Sequence, residues 1–123
     1  ALEASQRSRN SIRRFKGHSE YQLIEVEETV CGGMRCRELA LDGDVQFSDR
    51  FERYYHETMT MVALNALGPS GRRVLVIGGG DGGIATLALE YRTVEQVVIV
   101  DIDELVTETS RKWFPMVGSG LTD

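Results

Sequence analysis

The second half of the chain alternates short apolar runs with stretches of helical periodicity. Strands are predicted at 73–77 and 97–101 because buried parallel strands are almost entirely apolar. Helices are predicted at about 83–91 and 104–114, the second ending at Pro115. A further helix ends at Leu67, and its apolar positions share one face: Phe51, Tyr54, Tyr55, Met59 and Val62.

The first half of the chain has the alternating pattern of β-strands from Glu20 to Phe47. Gly32-Gly33 and Asp42-Gly43 are pairs that favour tight hairpin turns, so we expect a small antiparallel meander. Such a sheet is too thin to be stable alone and has to pack on something else.

The predicted fold class is α/β: a small N-terminal antiparallel β domain, then the first βαβα half of a Rossmann-like (class I methyltransferase-like) domain. The predicted divisions are a basic arm (1–19), the meander plus helix (20–68) and the nucleoside-binding half-domain (69–123). Two parallel strands are fewer than a domain of this type needs. We therefore expect the 123 residues to be the N-terminal portion of a larger protein.

The net charge of −5 is unevenly distributed. Residues 1–16 carry one acid, Glu3, and five basic residues: Arg7, Arg9, Arg13, Arg14 and Lys16. The acidic remainder argues against nucleic acid as a partner and fits a cationic small molecule. The basic arm could touch RNA or an anionic membrane surface, or it could be a solvated, partly disordered leader.

The lengths of the apolar runs and the number of cysteines bear on the location of the protein and on metal binding. No apolar run approaches the roughly 18–20 residues of a membrane span, so we expect a cytoplasmic protein. Only Cys31 and Cys36 are present, and we expect them to be free thiols, although a hairpin could bring them close enough to bridge. With no further Cys or His nearby, no metal site is expected.

The glycine-rich turn Gly78, Gly79, Gly80, Asp81, Gly82 and Gly83 follows the first parallel strand. Glycines there let a ligand approach the backbone, but Asp81 would repel a pyrophosphate and attract a cation. Asp101 ends the next parallel strand, where a carboxylate can accept hydrogen bonds from ribose hydroxyls, while Asp103 can cap the following helix. The expected ligand is therefore nucleoside-like and positively charged.

Tyr55 and His56 lie on the helix before the linker Gly68–Gly71. Tyr55 offers an aromatic face and a hydroxyl to a cation, and His56 can bond an amine or act as an acid or base near neutral pH. A histidine on a helix can equally be a satisfied structural residue.

Taken together, these motifs resemble the spermidine synthases (polyamine aminopropyltransferases) over about residues 20–117. The similarity lies in Tyr21-Gln22, Leu41–Gln46, Tyr55-His56-Glu57, Val74–Gly83 and Val100–Asp103. The resemblance implies transfer of the aminopropyl group of decarboxylated S-adenosylmethionine to a polyamine, with putrescine giving spermidine and methylthioadenosine. It implies no metal or other cofactor.

The resemblance also implies residue roles. Gln22 and Gln46 would line the donor pocket, Asp81 would hold the aminopropyl amine, and Tyr55 and His56 would lie beside the donor amine and the acceptor. Asp101 would bind the ribose, at a position usually occupied by glutamate. The catalytic base is expected beyond Asp123, so this chain alone is expected to be inactive.

The sequence departs from the family at two places and leaves alternatives open. Thr86-Leu87 stands where the family commonly has Arg-Glu, and Phe51-Glu52 stands where it has Asp-Glu. An S-adenosylmethionine-dependent methyltransferase, a non-catalytic polyamine- or nucleoside-binding paralogue, and the soluble domain of a membrane-bound aminopropyltransferase are alternatives. We expect a homodimer formed through the N-terminal β domain.

Overall fold

The computed structural model describes residues 11–121. The chain divides into two compact units between Phe51 and Glu52. The first unit is an antiparallel sheet in the order β1-β2-β3-β4, with β1 Ile12–His18, β2 Leu23–Cys31, β3 Met34–Leu41 and β4 Asp44–Ser48. The second unit contains α1 Glu52–Leu67, β5 Arg73–Ile77, α2 Gly83–Ala88, β6 Gln96–Val100 and α3 Glu104–Trp113. Within the described residues, no helix has the length and apolarity that crossing a membrane requires.

Two hairpin turns set the register of the meander, as predicted. Gly32 and Gly33 have φ of 55° and 83°, and Asp42 and Gly43 have φ of 51° and 90°. Positive φ at both central residues is the geometry of the two-residue turn that matches the twist of the flanking strands. The side chain of Asp42 also accepts a hydrogen bond from the N–H of Leu23 at 2.8 Å, which ties this turn to β2.

The prediction of a basic arm over 1–19 is wrong for its second part, because β1 pairs with β2. Arg13 lies 3.1 Å from the buried carboxylate of Glu25, and Nε of Arg14 donates to Glu28 at 2.6 Å. Opposite charges on adjacent strands stabilise their pairing, which a pattern of apolar positions does not report. The possible RNA or membrane contacts of residues 1–10 lie outside the described residues.

The cysteines also differ from the prediction, because Cys31 and Cys36 form a disulfide with a Cα–Cα distance of 5.8 Å. The hairpin has a two-residue loop, which pairs Cys31 with Met34 rather than with Cys36. The two cysteines are therefore diagonal neighbours across the ladder. Glu38 lies 3.5 Å from the sulfur of Cys31, but these sulfurs are bonded to each other rather than available to a metal.

The parallel strands β5 and β6 pair with Val74 opposite Val97 and Ile77 opposite Val100, and β6 begins and ends one residue earlier than predicted. Their side chains alternate between the two faces of the sheet. Val76 is buried, whereas Ile77 and Val100 are exposed on the other face. This pair of strands positions the loop that follows β5.

Helix α1 belongs to the second unit, whereas the sequence placed the domain boundary later, at Gly68–Gly71. The apolar face used to predict this helix is exposed in the structure. Its buried residues are instead His56, Thr60 and Leu64, spaced four apart, and α1 packs against α2. This stripe was missed because two of its three members are polar.

Candidate functional site

The glycine loop begins where β5 ends and turns away from the sheet edge. Gly78, Gly79 and Gly82 all have positive φ, between 75° and 82°. The N–H of Gly78 donates to the carbonyl of Val100 at 2.7 Å, so the loop starts at the carboxyl ends of both parallel strands. This edge is where ligands bind in open α/β sheets.

Asp101 is fixed against this loop by two backbone hydrogen bonds. Its Oδ2 accepts from the N–H of Gly80 at 2.7 Å, and its Oδ1 accepts from the N–H of Asp103 at 2.9 Å. A Cβ at residue 80 would lie 2.8 Å from Oδ2, so glycine is required there. Asp103, not Asp101, caps α3 by accepting from Leu105 N–H at 3.1 Å. Since a carboxylate has about four acceptor positions, Asp101 can accept further hydrogen bonds.

His56 is completely buried between two carboxylates. Its Nδ1 lies 2.5 Å from Oε2 of Glu52, one turn earlier on α1, and its Nε2 lies 3.2 Å from Oδ1 of Asp81 in the glycine loop. Burial lowers the pKa of His56, but the hydrogen bonds and negative charges of Asp81 and Glu52 outweigh it. The pKa of His56 is therefore raised above its ordinary value of 6.5.

Asp81 is the acid that the sequence singled out, and it is partly accessible, with a side chain 19% exposed. Its Oδ1 also accepts a hydrogen bond from the N–H of Gly83 at 2.7 Å. Burial raises the pKa of Asp81, but the contacts with His56 and Gly83 outweigh it and hold that pKa below its ordinary value. Asp81 is therefore ionised at neutral pH and is suited to a cation.

Gly83 is required because the imidazole of His56 lies against its Cα. A Cβ built at residue 83 would overlap three atoms of that ring. The absence of a side chain at Gly83 therefore lets α1 approach the start of α2 closely enough for His56 to reach Asp81.

Thr86, one turn into α2, holds the segment Val117–Leu121 against the loop. Its hydroxyl donates to the carbonyl of Val117 at 2.6 Å and accepts from the N–H of Gly120 at 2.8 Å. Thr86 is thus a short side chain that closes a backbone contact. The contact could not be predicted from the sequence, because Val117–Leu121 is distant from Thr86 along the chain.

The predicted site residues fall into two groups. His56, Asp81, the surrounding glycines and Asp101 come together in the second unit, where Tyr55 is exposed with its ring centroid 5.3 Å from that of His56. Gln22 and Gln46 belong to the first unit, in the β1–β2 turn and in β4, and their donor contacts stay predictions.

Glu52 also belongs to this cluster, although it is not among the site residues predicted from the sequence. It contacts the buried imidazole directly. The available signal was its spacing, because a glutamate four residues before a histidine lies on the same helical face.

A glycine turn after a buried strand, with a carboxylate at the end of the next parallel strand, is typical of α/β proteins of the Rossmann-like class. The model of the spermine/spermidine synthase domain matches residues 52–123. The chain belongs to this family.

Individual relatives agree with this assignment. The polyamine aminopropyltransferases of Pyrococcus abyssi and Agathobacter rectalis are 47% and 40% identical, each over 89% of this chain and 37% of their own length. The solved spermidine synthase of Thermotoga maritima is 33% identical with a TM-score of 0.82, and the match covers 90% of this chain and 38% of that one. A spermidine synthase complexed with the transition-state analogue AdoDATO matches equally well. The chain thus spans somewhat more than a third of these relatives.

Proposed function

We propose that the full-length protein transfers the aminopropyl group of decarboxylated S-adenosylmethionine to putrescine, which yields spermidine and methylthioadenosine. The observation that carries this proposal is the ionised Asp81 in the glycine loop, since a carboxylate there favours a cationic tail over a phosphate. Family membership supports the class of reaction, and a related spermidine synthase binds the transition-state analogue AdoDATO.

We propose that the second unit binds the donor. In the proposed reaction the acceptor nitrogen attacks the aminopropyl carbon beside the sulfonium. A C–N bond forms, the C–S bond breaks with its electron pair going to sulfur, and the acceptor nitrogen loses a proton. Asp81 would hold the aminopropyl ammonium and Asp101 the ribose hydroxyls, so that the reacting carbon is oriented. Tyr55, exposed beside His56, would face the amines.

The attacking amine has to lose its proton first, because free alkylamines hold it near pH 7 much as lysine does. We propose that the base lies beyond Asp123, and the 123-residue chain alone should then produce no methylthioadenosine. We also propose a cytoplasmic homodimer formed through the first unit, whose sheet has β1 and β4 at its edges.

The test is to supply the full-length protein with decarboxylated S-adenosylmethionine and putrescine and to measure methylthioadenosine by chromatography. We expect Asp81→Asn to weaken donor binding by about tenfold to a hundredfold, since a hydrogen bond to a charged group contributes roughly 1.5–3 kcal/mol. Binding of uncharged methylthioadenosine should change much less. Turnover of intact S-adenosylmethionine as a methyl donor, with no aminopropyl transfer, would overturn the proposal.

A further inference from the structure

Each ring nitrogen of His56 faces an oxygen of a carboxylate. Nδ1 is 2.5 Å from Glu52, and Nε2 is 3.2 Å from Asp81. A neutral imidazole carries one N–H and one lone pair, so either tautomer would direct a lone pair at an anionic oxygen. Only the imidazolium is attracted to both oxygens: Nδ1 is hydrogen-bonded to Glu52, whereas Nε2 lies outside hydrogen-bond geometry and meets Asp81 as an ion pair.

The surroundings of His56 favour that charged form. Helix α2, which packs against α1, has no titratable side chain between Gly83 and Ala88, so the charged groups facing the ring among the described residues are Glu52 and Asp81. Their neighbours Arg53 and Glu57 pair with each other at 2.7 Å on the exposed side of α1. The pKa of His56 is raised above its ordinary value by the carboxylates of Asp81 and Glu52, which favours the charged form.

The imidazolium also determines how Asp81 is presented. Its Oδ1 lies beside both the ring of His56 and the N–H of Gly83, so both of these contacts are made by the same oxygen. The hydrogen bond from Gly83 and the ion pair with His56 restrict the orientation of the carboxylate through Oδ1, and the side chain remains 19% exposed, so we infer that a ligand would meet Oδ2.

We propose that Glu52 is a positioning residue that keeps His56 doubly protonated, so that the imidazolium fixes Oδ1 of Asp81 and leaves Oδ2 to bind the ligand's cation. The identity of that cation, the donor's aminopropyl group, rests on the proposed function. His56 then acts on the ligand through Asp81, because both of its ring nitrogens are already engaged.

The protonation state can be measured directly by NMR of the ring nitrogens in the full-length protein. We expect both nitrogens of His56 to be protonated, with no titration from about pH 6 to 8, the range around the ordinary histidine pKa. In Glu52→Gln one nitrogen should lose its proton within that range. Glu57→Gln, the same change at the exposed pair on the same helix, should leave the signals unchanged. A bare nitrogen in the unmodified protein at pH 7 would overturn the proposal.

A second readout tests the coupling between His56 and the ligand. A bound ammonium at Asp81 repels the proton on His56, so donor binding should release a fraction of a proton at pH 7 in Glu52→Gln and none in the unmodified protein or in Glu57→Gln. Calorimetry in two buffers of different ionisation enthalpy measures this release. Uncharged methylthioadenosine should release none from any variant.

The NMR and calorimetric measurements distinguish a failure of the proposed function from a failure of the role proposed for Glu52. If the donor does not bind to the unmodified protein, the proposed function fails, and the NMR measurement still tests the state of His56. If the donor binds but Glu52→Gln releases no proton, or if the unmodified protein releases one, the role of Glu52 is wrong.

Discussion

Replacing Gly83 by alanine sets two effects of opposite sign against each other. Gly83 is the first residue of α2, and alanine is favoured over glycine inside a helix by about 0.5–1 kcal/mol. The new Cβ, however, would overlap the ring of His56. That ring cannot retreat easily, because it is completely buried, its Nδ1 is hydrogen-bonded to Glu52 and its Nε2 forms an ion pair with Asp81.

Overpacking a filled site typically costs about 1–3 kcal/mol, which exceeds the helical gain. We therefore expect Gly83→Ala to lower the free energy of unfolding by about 1–2 kcal/mol, the difference between these terms. The assay is urea unfolding of the 123-residue chain, followed by the fluorescence of its single tryptophan, Trp113, which lies in α3 of the same unit.

A double-mutant cycle with His56→Ala isolates the cause. Once the ring is removed, the methyl group introduced at position 83 has room, and the same Gly83→Ala change should stabilise the variant or leave its stability unchanged. The two substitutions should therefore be coupled by about 1 kcal/mol or more, within the range measured for residues in contact. Equal effects of Gly83→Ala in both backgrounds would refute the close packing of His56 on Gly83.

Three further predictions concern stability. Thr86→Val should cost about 1–3 kcal/mol by leaving a backbone donor without its acceptor, and hydrogen exchange should rise at Gly120. The pKa of His56 is raised on folding, so protonated His56 stabilises the folded state fully below pH 6.5, and this stabilisation is lost as the pH rises through the folded-state pKa. The difference in unfolding free energy between the unmodified protein and His56→Ala, measured by urea unfolding, should therefore shrink at alkaline pH. Cys36→Ser should lower the free energy of unfolding by at most about 2 kcal/mol in denaturant titrations, since Cys31 and Cys36 close a short loop. An unchanged exchange rate at Gly120 would contradict the first prediction, and a pH-independent difference between the unmodified protein and His56→Ala the second. A loss clearly above about 2 kcal/mol in Cys36→Ser would contradict the third.

Local patterns in the sequence were sufficient for the order of most elements. Strand alternation and the turns at Gly32-Gly33 and Asp42-Gly43 predicted the hairpins, because backbone geometry there depends on adjacent residues. The apolar runs at β5 and β6, with the glycine turn between them, likewise predicted the parallel pair and the position of Asp81. These features repeat over a few residues, so they can be read without knowing what lies across the fold.

Tertiary structure decided the features that depend on residues distant along the chain. The strand β1 forms against the glutamates of β2, and Thr86 finds its partners about thirty residues later. From the sequence, His56 could be either a site residue or a structural residue of the helix. In the structure it packs against Gly83 and lies beside Asp81. Sequence alone therefore identified the acid that favours a cation. The fold determined how that acid is held, because charge and orientation at Asp81 arise from contacts between separate elements.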